Sequence, residues 1–247
     1  MENKKNSWFR YAGGKGEIKG NIFCFPHAGS SASFFAKWKS LAENSCIYPI
    51  QYPGRENRRS EKCPVSVEKL AYDFVEAEIE TLCSEPYILF GHCMGSLAAW
   101  EAAKEMKRRN KALPEAIIVS SSPSPARAEI QKASDMSDEE AIENLCRLGY
   151  ISRSIVAEKE FFDYYMSVMK TDRALLEAYD YKAQEGKTLE CRIYAFNGKN
   201  DTEELKAQAL EWRDFTSAEF EQVLFRGGHF YLNEDTASVI KQIESYF

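Results

Sequence analysis

The 247-residue sequence has few or none of the features that mark several large classes of protein. It contains no run of about 18 apolar residues, and its polar N-terminus lacks the apolar segment of a signal peptide. Basic residues are not in excess, since 32 Lys and Arg against 38 Asp and Glu give a formal net charge of −6. That sign is wrong for a protein that neutralises nucleic-acid phosphates. We therefore expect a cytoplasmic, monomeric protein that binds neither a membrane nor nucleic acid.

Cysteine spacing and histidine number are equally informative. The seven cysteines include no C-x-x-C pair and no cluster with histidine at zinc-site spacing. This disfavours a structural metal and is typical of a protein whose thiols stay reduced. Histidine occurs only three times, so any reaction that needs an imidazole must use His27, His92 or His229.

What the sequence does contain is a regular alternation of short apolar runs and amphipathic helical patterns, which indicates an α/β fold. The predicted strands occupy residues 21–26, 46–54, 87–93, 116–122, 191–198 and 220–228. The predicted helices occupy residues 33–43, 66–83, 94–109, 202–214 and 235–247. We expect a single α/β domain over 1–247, with a mostly parallel sheet and helices on both faces.

One long stretch interrupts this alternation. Residues 123–190 contain no convincing strand but carry helical patterns at 137–148 and 157–181, the second of them rich in aromatic residues. This stretch is either a helical excursion packed at the edge of the sheet or a lid over an active site. We treat it as a helical lid insertion.

A predicted strand runs directly into Gly91-His92-Cys93-Met94-Gly95 and then into a predicted helix. This G-x-C-x-G motif has the strand, turn and helix setting of a nucleophile elbow, whose glycines prevent collisions across a sharp, strained turn. A thiol at a helix N-terminus is favoured as a thiolate. We predict Cys93 as the nucleophile and Gly91 and Gly95 as the elbow glycines. The alternative is that Cys93 is an ordinary buried cysteine.

The nucleophile needs a base, and the base needs a carboxylate to orient it. In α/β-hydrolases the chain order is nucleophile, acid, histidine. His229 is the only histidine after Cys93 and follows the last predicted strand, so it is the candidate base. Asp201 follows the preceding predicted strand and is the candidate acid. Three nearby carboxylates remain alternatives: Glu203, Glu204 and Asp214.

The negative oxygen that forms during acyl transfer needs two backbone donors. In an elbow one donor is the N–H of the residue after the nucleophile, here Met94, and the other comes from a loop after an early strand. That loop reads FPHAGS at 25–30, and its small residues predict the Ala28 N–H as the second donor. His27 is interpreted as a residue that orders the loop, with a role as a second base as the alternative.

Together these motifs resemble the type II thioesterases of nonribosomal peptide and polyketide assembly lines. The matching segments are FCFPHAGSSASFFAKW (23–38), QYPGRENR (51–58), YILFGHCMGSLAAWE (87–101), YAFNGKND (194–201) and FRGGHFYL (225–232). The resemblance implies an α/β-hydrolase fold with a helical lid, a triad of Cys93, His229 and Asp201, and oxyanion donors at Met94 and Ala28. It also implies hydrolytic release of acyl or aminoacyl groups from the phosphopantetheine arm of a carrier protein, with no cofactor of the enzyme's own.

The sequence departs from that family at Cys93, where the family has serine. An acyl group on sulfur is still a thioester, so its transfer to a second thiol is energetically easy, whereas an oxyester on serine commits the group to water. Hydrolysis and transfer between carrier proteins therefore both remain open. A non-catalytic binding module and a small-ester or lipid hydrolase without a carrier are further alternatives.

Basic residues are concentrated in two places and have two interpretations. They form either a solvated face or a docking surface for an acidic carrier protein. They are Lys104, Lys107, Arg108, Arg109 and Lys111, which close the helix that follows the elbow, and Arg55, Arg58 and Arg59 near the second predicted strand.

Overall fold

Seven strands form one sheet in the computed structural model, which describes residues 8–126, 138–184 and 186–247. The strands are β1 (Gly13–Gly14), β2 (Gly20–Phe25), β3 (Ser45–Pro49), β4 (Tyr87–His92), β5 (Ala116–Ser120), β6 (Arg192–Gly198) and β7 (Phe220–Phe225). Their spatial order is β1-β3-β2-β4-β5-β6-β7, and only the short edge strand β1 runs antiparallel to its neighbour. The predicted fold class, a mostly parallel α/β sheet, is confirmed.

Helices connect these strands. Within the described residues they are α1 (Val67–Leu82), α2 (Met94–Arg108), α3 (Asp138–Leu148), α4 (Arg153–Ala157), α5 (Lys159–Glu177), α6 (Glu203–Leu210), α7 (Tyr231–Glu234) and α8 (Thr236–Glu244). Ser66 caps α1 by accepting a hydrogen bond from the Lys69 N–H at 3.1 Å, which satisfies one donor that the first helical turn leaves free. None of these helices is long and apolar enough to cross a membrane.

The two faces of the sheet bury two separate apolar clusters. Along β4, Leu89 packs into the cluster that includes Phe74 of α1 and Trp100 of α2, whereas Ile88 and Phe90 belong to the cluster on the opposite face. Side chains alternate between faces along a strand, and because both faces are covered, the central strands are apolar throughout. This packing holds the carboxyl ends of β4, β6 and β7 in fixed relative positions.

The prediction of an α-helix at residues 33–43 is wrong. Two short 3-10 helices occupy this part of the chain, Ala32–Phe35 and Trp38–Ser40. Their buried residues Ala32, Phe35 and Trp38 recur every three positions, which matches the three-residue turn of a 3-10 helix better than the 3.6-residue turn of an α-helix.

Two strand predictions also need correction. The strand predicted to reach residue 54 ends at Pro49, and beyond it only Ile50 continues the pairing, through an isolated antiparallel bridge to Phe9. Gly54 then has a φ of +81°, a turn conformation. The edge strand β1 was not predicted, since two glycines carry no strand pattern.

The stretch 123–190 lies between the neighbouring strands β5 and β6. Its described residues form α3, α4, α5 and a short 3-10 helix but no strand of the sheet, as predicted; Leu189 makes one isolated bridge to Thr216. Residues 127–137 and 185, including the predicted start of the first helix at 137, lie outside the described residues. The single-domain boundary and the lid role of this stretch stay predictions.

Candidate active site

The turn between β4 and α2 holds Cys93 in an unusual backbone conformation, with φ +52° and ψ −118°. A Cβ at Gly91 would lie 2.1 Å from the Gly95 backbone oxygen, and a Cβ at Gly95 would lie 2.1 Å from the backbone oxygen of Phe25. Both positions therefore require glycine. This is the strained turn expected of a nucleophile elbow, in which the side chain is presented at the N-terminus of the following helix.

The structure brings the predicted acid and base together at the ends of β6 and β7. The Asn200 N–H donates to the Gly227 backbone oxygen at 2.9 Å, which joins the two loops. Across this contact Nδ1 of His229 lies 3.4 Å from Oδ1 of Asp201. The other carboxylate oxygen of Asp201 accepts from the hydroxyl of Ser121 at 2.7 Å and from the Gly198 N–H at 3.1 Å. Asp201 is thus oriented by three contacts.

The alternative acids do not share this position. They are exposed to solvent on or just after α6: Glu203, Glu204 and Asp214. Lys206 contacts Glu203 there at 2.6 Å, as an ordinary surface pair. Asp201 is therefore the carboxylate that the geometry supports as the partner of His229.

A tyrosine that sequence reasoning missed lies between the predicted nucleophile and base. The hydroxyl of Tyr150 is 3.1 Å from Sγ of Cys93 and 2.9 Å from Nε2 of His229. Tyr150 follows Gly149, whose φ of +87° ends α3. The Tyr150 N–H bonds to the Leu145 backbone oxygen at 2.9 Å, and the Gly149 N–H to that of Cys146 at 3.1 Å. This is a Schellman motif; the Leu-Gly-Tyr sequence was its only signal.

Electrostatics favour a thiolate and an imidazolium at this site. Burial raises the pKa of Cys93, but hydrogen bonding and charge from His229, with smaller contributions from Tyr150 and the Met94 N–H, lower it overall. Burial lowers the pKa of His229, yet Asp201 and Cys93 outweigh it and bring that pKa to about 9. Burial also opposes ionisation of Asp201, but hydrogen bonds from His229 and Ser121 leave its pKa below the usual value.

The loop predicted to supply an oxyanion donor is held from two sides. Asp172 of α5 accepts the Gly29 N–H at 2.8 Å. The guanidinium of Arg55 donates to the Ser30 backbone oxygen at 2.7 Å and pairs with Asp172 through contacts of 2.7 and 2.5 Å. Both charged side chains are buried, at 3% and 0% exposure. The pair places the loop containing Ala28 in contact with the helical segment, and neither partner carried a sequence signal for this role.

Met94 is the first residue of α2, and the first N–H groups of a helix have no partner within it. Its N–H lies close enough to the Cys93 sulfur to lower the pKa of that thiol. Ala28 is buried in the facing loop at 6% exposure. The two predicted donors thus lie in the elbow and in the loop held by Arg55; their oxyanion role stays a prediction.

Comparison with known proteins identifies the family. Residues 21–247 match the thioesterase domain family. The chain belongs to the thioesterase family. It is 31% identical over 239 residues to the gramicidin S biosynthesis protein GrsT of Aneurinibacillus migulanus, covering 96% of this chain and 92% of that protein. Its enzyme class, as for the family, is thioester hydrolysis.

Two solved structures are similar to this thioesterase over most of their length. RedJ, a thioesterase of the prodiginine pathway in Streptomyces coelicolor, superposes with a TM-score of 0.84 at 27% identity, covering 94% of this chain and 88% of that chain. The type II thioesterase BorB from the borrelidin biosynthetic cluster gives 0.83 at 29% identity, covering 99% of both chains. These similarities confirm the α/β-hydrolase fold.

The other two histidines of the thioesterase, His27 and His92, lie beside the site, and burial lowers the pKa of both. His27 is 5% exposed, and its ring packs against Phe34 and Phe230. Burial, then the charges of His229 and Arg55, lower the pKa of His27 to about 3. His92 is fully buried, and its Nδ1 contacts the hydroxyl of Ser120 at 2.9 Å. His27 is therefore uncharged at neutral pH, which favours the loop-ordering role over a second base.

The docking interpretation of the basic residues is wrong for two of them. Arg55 is buried in the ion pair with Asp172. Arg58 is 5% exposed and contacts Glu61 and the Gln51 backbone oxygen. Of the cations near the C-terminal end of α2, four pair with nearby carboxylates: Lys104, Lys107, Arg108 and Arg109. This supports a solvated, internally paired face.

Proposed function

We propose that this protein is a type II thioesterase of a nonribosomal peptide or polyketide pathway. Its substrate is an acyl or aminoacyl thioester on the phosphopantetheine arm of a carrier protein, and it needs no cofactor of its own. GrsT, RedJ and BorB, to which the chain is similar, are named for gramicidin S, prodiginine and borrelidin biosynthesis. The observation that carries the proposal is a cysteine in a strained elbow turn close to a histidine whose Nδ1 lies 3.4 Å from a buried aspartate.

The proposed reaction begins from the charged pair. The Cys93 thiolate attacks the thioester carbonyl carbon, and the resulting oxyanion accepts from the N–H groups of Met94 and Ala28. Collapse of this intermediate expels the pantetheine sulfur, which takes the proton from Nε2 of His229. The product is an acyl group on Sγ of Cys93. Asp201 contributes by orienting His229 and stabilising its positive charge.

Hydrolysis completes the cycle. His229, now neutral, takes a proton from a water molecule, whose oxygen attacks the acyl carbon on Cys93. The second oxyanion collapses, Sγ leaves as a thiolate, and the free acid departs while His229 keeps its proton. The enzyme returns to the thiolate and imidazolium form. In this scheme the helices within 123–190 act as a lid over the acyl group.

Transfer of the acyl group to a second carrier thiol is the second candidate function, and Cys93 is the observation that favours it. A thiol acceptor exchanges one thioester for another, so the acyl group keeps its activation. A serine ester would lie lower in free energy than the product thioester. The same His229 that deprotonates water can deprotonate the acceptor thiol.

Mass spectrometry of a carrier protein loaded with an acetyl group separates the two candidates. The loaded carrier is incubated with the enzyme, with and without a second carrier of different mass whose phosphopantetheine is free. We expect an acetyl adduct on Cys93, followed by acetate as the hydrolase product or by a loaded second carrier as the transfer product. Absence of all three would refute the proposal.

Matched variants sharpen this experiment. Cys93→Ala should abolish the adduct and both products. A non-catalytic binding module would form none of them even as the wild-type protein. Cys93→Ser should keep or gain hydrolysis and lose transfer. Preference for a simple oxyester such as ethyl acetate over acetyl-pantetheine would indicate a small-ester hydrolase without a carrier partner.

A further inference from the structure

The hydroxyl of Tyr150 is positioned to hydrogen-bond with both reacting groups at once. It lies 3.1 Å from Sγ of Cys93 and 2.9 Å from Nε2 of His229. A hydroxyl donates one hydrogen bond and can accept another. With a thiolate on one side and an imidazolium on the other, Tyr150 donates to Sγ and accepts from the Nε2 proton. Burial and the charge of Cys93 keep the pKa of Tyr150 well above its usual value, so the hydroxyl stays protonated.

The Tyr150 ring is held as firmly as its hydroxyl. Its centroid lies 5.0 Å from that of Phe230 and 5.6 Å from that of His27, both edge to face. The Schellman motif after α3 fixes the backbone of Tyr150 through the bond to the Leu145 oxygen. A rigid backbone and two aromatic neighbours restrict the rotamers of the tyrosine, and the hydroxyl therefore has a defined place in the free enzyme.

That place is the one an acyl acceptor must occupy. In the acyl-enzyme, an attacking group has to lie next to the carbon on Sγ of Cys93 and give its proton to Nε2 of His229, at about 3 Å. The Tyr150 hydroxyl is within hydrogen-bond distance of both atoms. Water and Tyr150 therefore compete for the same position, and an acceptor can attack only after the tyrosine has moved.

Acceptors differ in their means of moving it. A thiol on a phosphopantetheine arm arrives with a long chain whose binding energy can drive displacement of a side chain, whereas water brings no such binding energy. We propose that Tyr150 is a specificity-determining residue that blocks the acceptor position against water and so biases the acyl group on Cys93 toward a thiol delivered on a long arm. This inference rests on the proposed acyl-enzyme.

Proton and bond changes balance in either outcome. With a thiol acceptor, His229 takes the thiol proton, the new carbon–sulfur bond forms, and the bond to Sγ of Cys93 breaks to give a thiolate. With water, the same proton transfer and bond breakage give a carboxylic acid instead of a thioester. Tyr150 takes part in neither bond change; it sets which acceptor reaches His229.

The test is the partition of the acyl group between the two acceptors. An acetyl-loaded carrier protein is the donor, pantetheine at fixed concentration is the thiol acceptor, and mass spectrometry counts acetate and acetyl-pantetheine. Tyr150→Ala removes the ring and hydroxyl, and Tyr150→Phe removes only the hydroxyl. Tyr72→Ala, which removes a 40% exposed tyrosine of α1, is the matched control.

We expect the ratio of acetate to acetyl-pantetheine to rise by about tenfold in Tyr150→Ala. This is the factor that corresponds to the free energy of one ordinary hydrogen bond, which water no longer has to displace. A smaller rise is expected in Tyr150→Phe, with no change in Tyr72→Ala. Because a misfolded variant would lose both products together, a changed ratio is not explained by a structural role. Tyr150→Phe keeps the ring and its contacts, so it decides the question if the alanine variant does not fold.

The possible failures are distinct. A ratio within twofold of wild type in the folded Tyr150 variants, with an acetyl adduct still present on Cys93, overturns the assignment to Tyr150 and leaves the proposed function intact. Absence of the adduct and of both products with the wild-type enzyme overturns the proposed function itself. A rise in the Tyr72→Ala control of the same size as in Tyr150→Ala also counts against the inference.

Discussion

Replacing Asp172 with asparagine tests the ion pair that connects α5 to the loop at residues 27–30. In the wild-type protein the Arg55 guanidinium is 3% exposed and Asp172 is fully buried. Arg55 also donates a hydrogen bond to the Ser30 backbone oxygen, and Asp172 accepts one from the Gly29 N–H. Asparagine has nearly the size of aspartate but no charge, so the variant leaves the Arg55 charge buried without its counter-ion.

The expected loss of stability is large. Breaking a buried pair by removing one partner lowers the free energy of unfolding by about 3–5 kcal/mol. For a chain of this length that corresponds to a fall in Tm of roughly 10 °C. Activity should fall by more than about tenfold, because Asp172 no longer orients the loop that carries the proposed donor Ala28. Urea unfolding followed by circular dichroism measures the first effect, and acetyl-pantetheine hydrolysis the second.

Two further variants test the reasoning. Asp73→Asn breaks a surface pair with Lys69, whose side chains are 50% and 40% exposed, and should change the free energy of unfolding by less than about 1 kcal/mol. The double replacement Arg55→Met with Asp172→Leu buries no charge and should recover most of the lost stability without recovering activity. A stability loss in Asp172→Asn no greater than in Asp73→Asn would refute the argument.

Three other predictions concern the site. Iodoacetamide should label Cys93 selectively at pH 7, because the pKa of this thiol is lowered. In His229→Ala the pKa of the thiol should rise. Peptide mapping should then find labelling of Cys93 at pH 7 reduced about tenfold or more, and the midpoint of labelling against pH moved upward. Gly95→Ala places a Cβ 2.1 Å from the backbone oxygen at the end of β2 and should lower the free energy of unfolding by at least about 1–3 kcal/mol, whereas Gly228→Ala, which meets nothing within 4 Å, should not. Asp201→Asn should reduce kcat at least about 100-fold, because His229 loses the group that orients it; near-normal turnover would exclude Asp201 as the acid.

Local patterns were sufficient for much of the fold and part of the site. Strands such as β4 and β6 were predictable because apolar residues on both faces of a covered parallel strand leave a continuous run in the sequence. The elbow at Cys93 was predictable because its geometry depends on Gly91 and Gly95, two residues within the same turn. His229 followed from scarcity, as the only histidine after Cys93.

Local patterns were insufficient where one spacing of residues fits two structures or where several residues of the same type lie close together in the sequence. Residues 33–43 carry an apolar spacing that fits either an α-helix or successive 3-10 turns, and packing of Phe35 and Trp38 against the sheet selected the second. The choice among Asp201, Glu203, Glu204 and Asp214 likewise needed the loop contact between β6 and β7, which no local signal encodes.

The sequence alone determined the α/β alternation, the strained cysteine turn and the choice of His229 as the candidate base, because each depends on residues that are neighbours in the chain or on a simple count. Only the tertiary structure decided that Tyr150 lies between Cys93 and His229, residues 57 and 79 positions away. The same holds for the Arg55 and Asp172 pair, separated by 117 positions. A tyrosine or a charged residue has no distinctive pattern of its own, and its role arises when packing removes water around it and brings a specific partner within hydrogen-bond distance.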